Sequence, residues 1–167
     1  MPEGTTIQIP IKPYLKKYLL RKLKAKEDSI VISTNDTIGF GICVINTISK
    51  KRDYLLNPNI KNIESFINKI NIDNTFINLS ICEGYCKTSG YFIKDDKVFY
   101  INKFIEKQFR NDLMMFLLAP YFYNPKFIIE YGLEDFLSIY SISEDEIKKE
   151  SLVRYFRREN KKYSFIN

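Results

Sequence analysis

Two periods of hydrophobicity alternate along the first 120 residues, and this alternation restricts the fold more than any other feature. Residues 5–11 and 75–81 alternate polar and apolar side chains, which is typical of half-buried strands. Short apolar runs at 30–33 and 91–93 also predict strands. The segments between them carry apolar residues every three or four positions, as on one face of a helix. The sequence therefore predicts an α+β fold with a small mixed or antiparallel sheet and flanking helices.

The helical spacing predicts four helices in this mixed part of the chain, at about 13–26, 38–48, 60–70 and from Asp95 or Asp96 to Ala119. Pro13 suits a first helical turn because the amide that it lacks has no partner there. Pro120 is expected to end or kink the fourth helix. Residues 82–90 contain two glycines and are predicted to form a loop.

The chain after Pro120–Pro125 carries helical patterns only. We therefore predict two domains, a mixed α/β domain over 1–120 and a helical C-terminal extension over 121–167 that packs on it. In the extension, Ser143 and Glu146 have the spacing of a capping box that opens a short helix. A basic helix follows over about 151–162. The order of helix, turn and basic helix resembles a helix-turn-helix arrangement.

Positive charge is concentrated at the two ends of the chain. The formal net charge is +6, yet residues 27–147 carry 12 basic and 17 acidic side chains. The N-terminal block, 12–26, holds seven basic residues and no acidic one before Glu27. The C-terminal block, 148–162, holds seven basic and two acidic residues. Segregated positive charge of this kind is typical of a protein that binds a polyanion.

The two blocks supply the candidate contacts with phosphates. In the C-terminal block, Arg154, Arg157, Arg158 and Lys161 recur at i, i+3, i+4 and i+7, so a helix places them in one stripe. Guanidinium groups bind phosphate oxygens and guanine edges in a bidentate manner. In the N-terminal block the candidates are Lys12, Lys16, Lys17, Arg21 and Lys24. A solvated basic face remains the alternative interpretation of both blocks.

The residues that most often perform catalysis or bind metals are scarce. The chain has no histidine, and its three cysteines, Cys43, Cys82 and Cys86, lack the spacing of a zinc site. The acidic clusters at 95–96 and 144–146 complete no known catalytic motif, and Gly39 and Gly41 complete no motif that cradles a phosphate. We therefore expect no enzyme activity, no cofactor and no metal. No apolar stretch reaches the length of a membrane span, so we expect an intracellular protein that uses no membrane.

Two stretches, TIQIPIKPYLKKYLLRKL and EYGLEDFLSIYSISEDEIKKESLVRYFRREN, are similar to small uncharacterised proteins of phages and mobile elements from low-GC, Bacteroidetes-like bacteria. The resemblance implies a mobile-element setting, in the host cytoplasm or in a virion. It brings no catalytic residues with it.

Charge and resemblance together predict a non-enzymatic nucleic-acid-binding protein of a phage or mobile element, with DNA as the expected partner. If both basic blocks lay on one surface, that surface would bind six or more phosphates. The alternative is a structural or assembly protein that forms oligomers or contacts virion proteins, because the acidic middle of one copy can pair with the basic ends of another.

Overall fold

The computed structural model describes residues 4–25, 28–49, 75–124 and 126–163. Contacts within the chain define two compact units, the first unit (Met1–Glu106) and the second unit (Lys107–Asn167). Five strands and six helices lie in the described ranges, so the α+β class is confirmed. The boundary predicted near Pro120–Pro125 lies later in the chain, and the division into domains at that point stays a prediction.

The first unit is organised around strand β4. Strand β1 (Gly4–Pro10) pairs with β4 (Phe76–Cys82) in antiparallel register over its full length, from Gly4 opposite Cys82 to Pro10 opposite Phe76. Strand β2 (Ser29–Val31) pairs with the other edge of β4 in parallel, giving the order β1–β4–β2. Alternate side chains of β4 are buried, as the polar–apolar period predicts.

Helix α1 (Pro13–Lys22) begins at the proline that the sequence assigned to a first turn. Its buried face consists of Tyr14, Leu15, Tyr18 and Leu19, which recur at helical spacing. The basic residues of the helix occupy the remaining positions, and the two in the last turn lie at the negative end of the helix dipole. The sequence pattern therefore fixes which face of α1 enters the core.

The start of the short helix α2 (Phe40–Ile45) depends on one carboxylate and one glycine. The Asp36 side chain accepts hydrogen bonds from the amides of Ile38 (3.0 Å), Phe40 (2.8 Å) and Gly41. These bonds satisfy amides that have no partner within a first helical turn. Gly41 is buried so close to the preceding loop that a Cβ atom there would lie 1.8 Å from the Ser33 carbonyl oxygen.

Two small elements and a long helix follow. Helix α3 (Glu83–Ser89) leads to strand β5 (Phe92–Ile93), which pairs in antiparallel fashion with strand β3 (Ile48–Ser49). Helix α4 (Asp95–Tyr123) then runs from the first unit into the second. It continues past Pro120, and the amide of Asn124 still bonds the Pro120 carbonyl at 3.0 Å.

The second unit is a helical core. The part of α4 beyond residue 106 packs with α5 (Ile129–Ile139) and α6 (Lys149–Tyr163). The rings of Phe109, Phe116 and Tyr140 each lie 5.1–5.5 Å from the ring of Phe136, and Tyr121 lies 5.5 Å from Phe156. Interlocked aromatic rings therefore hold the three helices together.

Several local predictions were wrong. Residues 82–90 were predicted as a loop, but Glu83–Ser89 is helical, and only Gly90 leaves the helix with a positive φ. The helix predicted over 38–48 is shorter, because Ile48 belongs to strand β3. Helix α4 continues to Tyr123, so of the two outcomes expected at Pro120, an end or a kink, the end is wrong. A proline removes one amide donor from a helix, and the packed rings on either side of Pro120 outweigh that loss.

The connection between α5 and α6 also differs from its prediction. Ser143 and Glu146 do interact, since the Ser143 amide donates to Glu146 Oε2 at 2.9 Å. The segment that they close is a turn and not a short helix, and α6 begins at Lys149. The connection spans 140–148, longer than the turn of about three to four residues in a helix-turn-helix. The helix predicted over 60–70 lies outside the described residues.

We expect the substitution Gly41→Ala to lower the free energy of unfolding by about 2 kcal/mol or more, because the new Cβ would overlap backbone atoms that cannot move aside cheaply. Urea unfolding followed by circular dichroism measures the change.

Gly84→Ala is the matched control, since its Cβ would meet only Cys82 Sγ, at 3.9 Å. Within helix α3 it should be neutral or stabilising by up to about 1 kcal/mol. Equal losses in the two variants would contradict the close approach at Gly41.

Candidate nucleic-acid interface

Helix α6 separates its apolar and its basic side chains. Leu152 and Phe156 are completely buried, while Arg154, Arg157 and Arg158 are exposed. This follows from the sequence, because residues 152 and 156 share one helical face and the arginines project from the other. Burial of the apolar face therefore fixes the orientation of the arginines.

A groove of about 720 Å³ lies along the basic side of α6. Four basic residues line it: Arg110 of helix α4, Lys148 just before α6, and Arg154 and Arg158 of α6 itself. We call these four residues and the space between them the basic groove. The groove lies wholly within the second unit. It brings together positive charges from two helices and a loop.

Two of these cations lie over the ring of Tyr155. The guanidinium carbon of Arg110 lies 4.6 Å from the centroid of the Tyr155 ring, and that of Arg158 lies 5.6 Å from it. A cation over an aromatic ring is attracted by the electron density of the ring face. The half-buried ring of Tyr155 therefore holds two arginine side chains that would otherwise repel each other.

One carboxylate and one hydroxyl complete the lining. Glu150 Oε2 lies 3.3 Å from Arg154 Nη2, but both side chains are about four-fifths exposed, so the ion pair contributes little stability. Ser151 adds a hydroxyl group to the groove. Lys148 is exposed, and its ammonium group forms no hydrogen bond or ion pair with any residue that the structure describes. Among the described residues, the lining thus carries four positive charges and one negative charge.

The predicted stripe on α6 divides into two groups. Arg154 and Arg158 line the groove, whereas Arg157 is directed to Glu130 of α5, with Arg157 Nη2 and Glu130 Oε1 at 3.2 Å. Lys161 is exposed, does not line the groove and interacts with other residues. Lys149 bonds Glu134 at 2.9 Å and Glu144 at 3.3 Å. The hydrogen bond to Glu134, followed by that to Glu144, raises the pKa of Lys149 above its usual value despite some desolvation.

The N-terminal block is also divided, within the first unit. Lys12 Nζ lies 3.3 Å from Glu106 Oε2, and Lys16 Nζ lies 2.8 Å from Asp28 Oδ2. The side chain of Lys16 is only 18% exposed, so little of it is open to a ligand.

The other three candidates of this block, Lys17, Arg21 and Lys24, are exposed. Lys17 interacts with other residues. The side chains of Arg21 and Lys24 form no ion pair with a described residue. Two of the five candidates in this block, Lys12 and Lys16, therefore already pair with carboxylates of the first unit itself.

Two of the four cations that line the groove were not predicted from the sequence as phosphate contacts. Lys148 belongs to the C-terminal block, but it lies outside the helical stripe that carried the prediction. Arg110 lies in the long helix, far from either block, and only the packing of α4 on α6 brings it to Tyr155. An arginine opposite an aromatic residue of another helix leaves no pattern in a single sequence.

Few other groups in the described part of the chain have the chemistry of a site. No cluster of three or more cysteine or carboxylate side chains there is placed to hold a metal ion. Burial, and secondarily the Asp36 carboxylate, raises the pKa of the Cys43 thiol, which disfavours the nucleophilic thiolate form. No helix in the described residues is long and apolar enough to cross a membrane.

Comparison of the chain with models of known protein families, with curated proteins and with solved structures gives no significant match.

Proposed function

We propose that the protein binds nucleic acid and that the basic groove of the second unit contacts the phosphates. The observation that carries the proposal is the convergence of Arg110, Lys148, Arg154 and Arg158 on one groove that contains a single carboxylate. Nucleic acid is a dense line of negative charge, and neutralisation of its phosphates by lysine and arginine releases condensed counterions. A short row of cations in an open groove suits such a ligand.

The distribution of acids in the second unit supports the same proposal. The unit contains nine acidic side chains, yet eight of them do not line the groove, although the Glu159 carboxylate lies 3.3 Å from Arg158 Nε. Four like charges held close together repel one another. A protein that needed these residues only for stability would gain by interspersing carboxylates among them. An anionic ligand removes the repulsion.

The remaining parts of the proposal rest on the sequence. The resemblance to proteins of phages and mobile elements favours DNA as the ligand and a non-enzymatic role in the host cell or the virion. In the first unit, Arg21 and Lys24 are exposed candidates for further phosphate contacts. Each contact would add to affinity without adding sequence preference.

We expect Arg158→Glu to abolish most of the DNA binding, because it reverses a charge inside the groove. For the wild-type protein, three to four phosphate contacts predict that affinity falls about 40-fold to 150-fold between about 50 and 200 mM salt. In the variant, the plot of log affinity against log salt should become shallower, with a slope smaller in magnitude by at least about one unit. Fluorescence anisotropy with a labelled duplex at several salt concentrations measures both quantities.

Arg157→Glu is the matched control for this experiment. Arg157 lies next to Arg158, is similarly exposed, also pairs with one carboxylate and gives the same change in net charge, but it does not line the groove. Its effect on affinity should be about threefold or less at moderate salt, since exposed charges at a distance are screened. Equal losses in the two variants would contradict the assignment of the groove.

A second substitution should strengthen binding. Glu150→Gln removes the one carboxylate that lines the groove, so DNA affinity should rise about threefold to tenfold at low salt, with a steeper salt dependence. The same anisotropy titration detects the gain.

Asp145→Asn makes the same change of charge in the exposed turn outside the groove and should leave affinity nearly unchanged. A weaker complex with Glu150→Gln would show that phosphates do not occupy the groove.

The assembly function remains a second candidate because one face of helix α4 is apolar and exposed. Met115, Leu118, Ala119 and Phe122 recur at i, i+3, i+4 and i+7, and Met115 and Phe122 are 72% and 53% exposed. No charged residue occurs from Leu113 to Asn124. A second copy of the chain fits this face, because two uncharged faces related by a two-fold axis bring no like charges together.

The assembly candidate predicts that the protein self-associates without nucleic acid. The double substitution Met115→Gln and Phe122→Gln should then yield monomers, since it replaces apolar contacts and leaves the charge of the groove unchanged. Sedimentation velocity measures the association state.

Val31→Thr, at another exposed apolar position, is the control and should not alter the association. A wild-type protein that stays monomeric at its highest soluble concentration would exclude assembly through this face.

A further inference from the structure

The basic groove contains one aromatic side chain, and that side chain is already engaged. Tyr155 is half-buried, and the guanidinium groups of Arg110 and Arg158 lie over its ring at 4.6 and 5.6 Å. Proteins that bind single strands through their bases present open aromatic faces on which the bases stack. Among the side chains that the structure describes, the lining of the groove offers no second ring for that purpose.

The other groups of the lining can all bond phosphate oxygens. Lys148 and Arg154 are exposed cations, and Ser151 supplies a hydroxyl group. Hydroxyl and cationic side chains bond phosphate oxygens in most protein–DNA contacts, and such contacts carry no sequence information. Among the described residues, the groove thus has donors for a backbone and no open aromatic face for a base.

We propose, resting on the proposed function, that the groove binds the sugar–phosphate backbone alone and that Tyr155 is a positioning residue for Arg110 and Arg158. The ring holds two planar guanidinium groups near its centre, at 4.6 and 5.6 Å, before the ligand arrives. Less side-chain entropy is then lost on binding, because arginines stacked on a ring are already restricted. The ligand class is a nucleic-acid backbone, with duplex DNA preferred for its higher density of charge.

The proposal is tested first with the wild-type protein. Three labelled probes of equal length are compared at low salt by fluorescence anisotropy: a mixed-sequence duplex, a mixed-sequence single strand and an abasic single strand. We expect the two single strands to bind within about twofold of each other and the duplex to bind more tightly. A stacked base contributes about 5-fold to more than 100-fold in affinity, so loss of binding to the abasic strand would overturn the proposal.

The role of Tyr155 is tested with two variants. Tyr155→Leu removes the ring and should weaken binding to all three probes by about 5-fold to 10-fold, whereas Tyr155→Phe keeps the ring and should bind within about twofold of the wild type. Circular dichroism and the unfolding midpoint verify that both variants are folded. An unchanged affinity in Tyr155→Leu, or an equal loss in Tyr155→Phe, would contradict positioning by the ring.

The outcomes separate this inference from the proposed function. If no probe binds at low salt, the proposed function fails. If only the probes that contain bases bind, the function stands and backbone-only recognition is wrong. Equal binding of the two single strands supports the inference independently of the Tyr155 variants.

Discussion

The burial of one face of helix α6 is the interaction on which the candidate interface depends. Leu152 and Phe156 are inaccessible to solvent, and Phe156 packs against Tyr121 of the long helix. With this face fixed, the helix has no freedom to turn its arginines away from solvent. Removal of a buried phenylalanine typically costs about 3–5 kcal/mol, far more than any of the exposed ion pairs around it. Apolar packing therefore determines which positive charges of α6 face the solvent.

Once the orientation of α6 is fixed, neighbouring groups determine which of its cations remain accessible to a ligand. Lys149 and Arg157 each contact a carboxylate of α5, whereas the carboxylate that contacts Arg154 is that of the exposed Glu150 on the same helix. Arg110 and Arg158 share an aromatic ring. A carboxylate partner competes directly with a phosphate, but a ring leaves the donor groups of a guanidinium available. The ring thus holds Arg110 and Arg158 near the groove, although Arg158 Nε also lies 3.3 Å from Glu159 Oε1.

The parts of the fold that follow from strong periodicity could be predicted. Strands β1 and β4, helix α1 and the basic helix α6 lie close to their predicted positions, since proline, polar–apolar alternation or an apolar stripe marks each one. Helix α3 was missed because its seven residues are too few for a helical period to emerge, and glycines lie within and just after it. The continuation of α4 past Pro120 was missed because tertiary packing overrides a local signal.

The candidate site was predictable only in part, for a related reason. The spacing of Arg154 and Arg158 places them on one helical face, and this is a local property of the sequence. Lys12, Lys16 and Arg157 have the same local signal, yet the fold brings carboxylates from elsewhere in the chain to each of them. Arg110 has no such signal and joins the groove through packing. Local spacing thus gave the candidates, and long-range contacts selected among them.

The second unit contains ten basic and nine acidic side chains, so its formal charge is close to zero although the groove is strongly positive. The net charge of the unit therefore contributes little to attraction, and the local field of the groove dominates instead. That local field acts on a polyanion within about a Debye length, roughly 8–10 Å. The distance at which the groove begins to attract its ligand is consequently set by ionic strength.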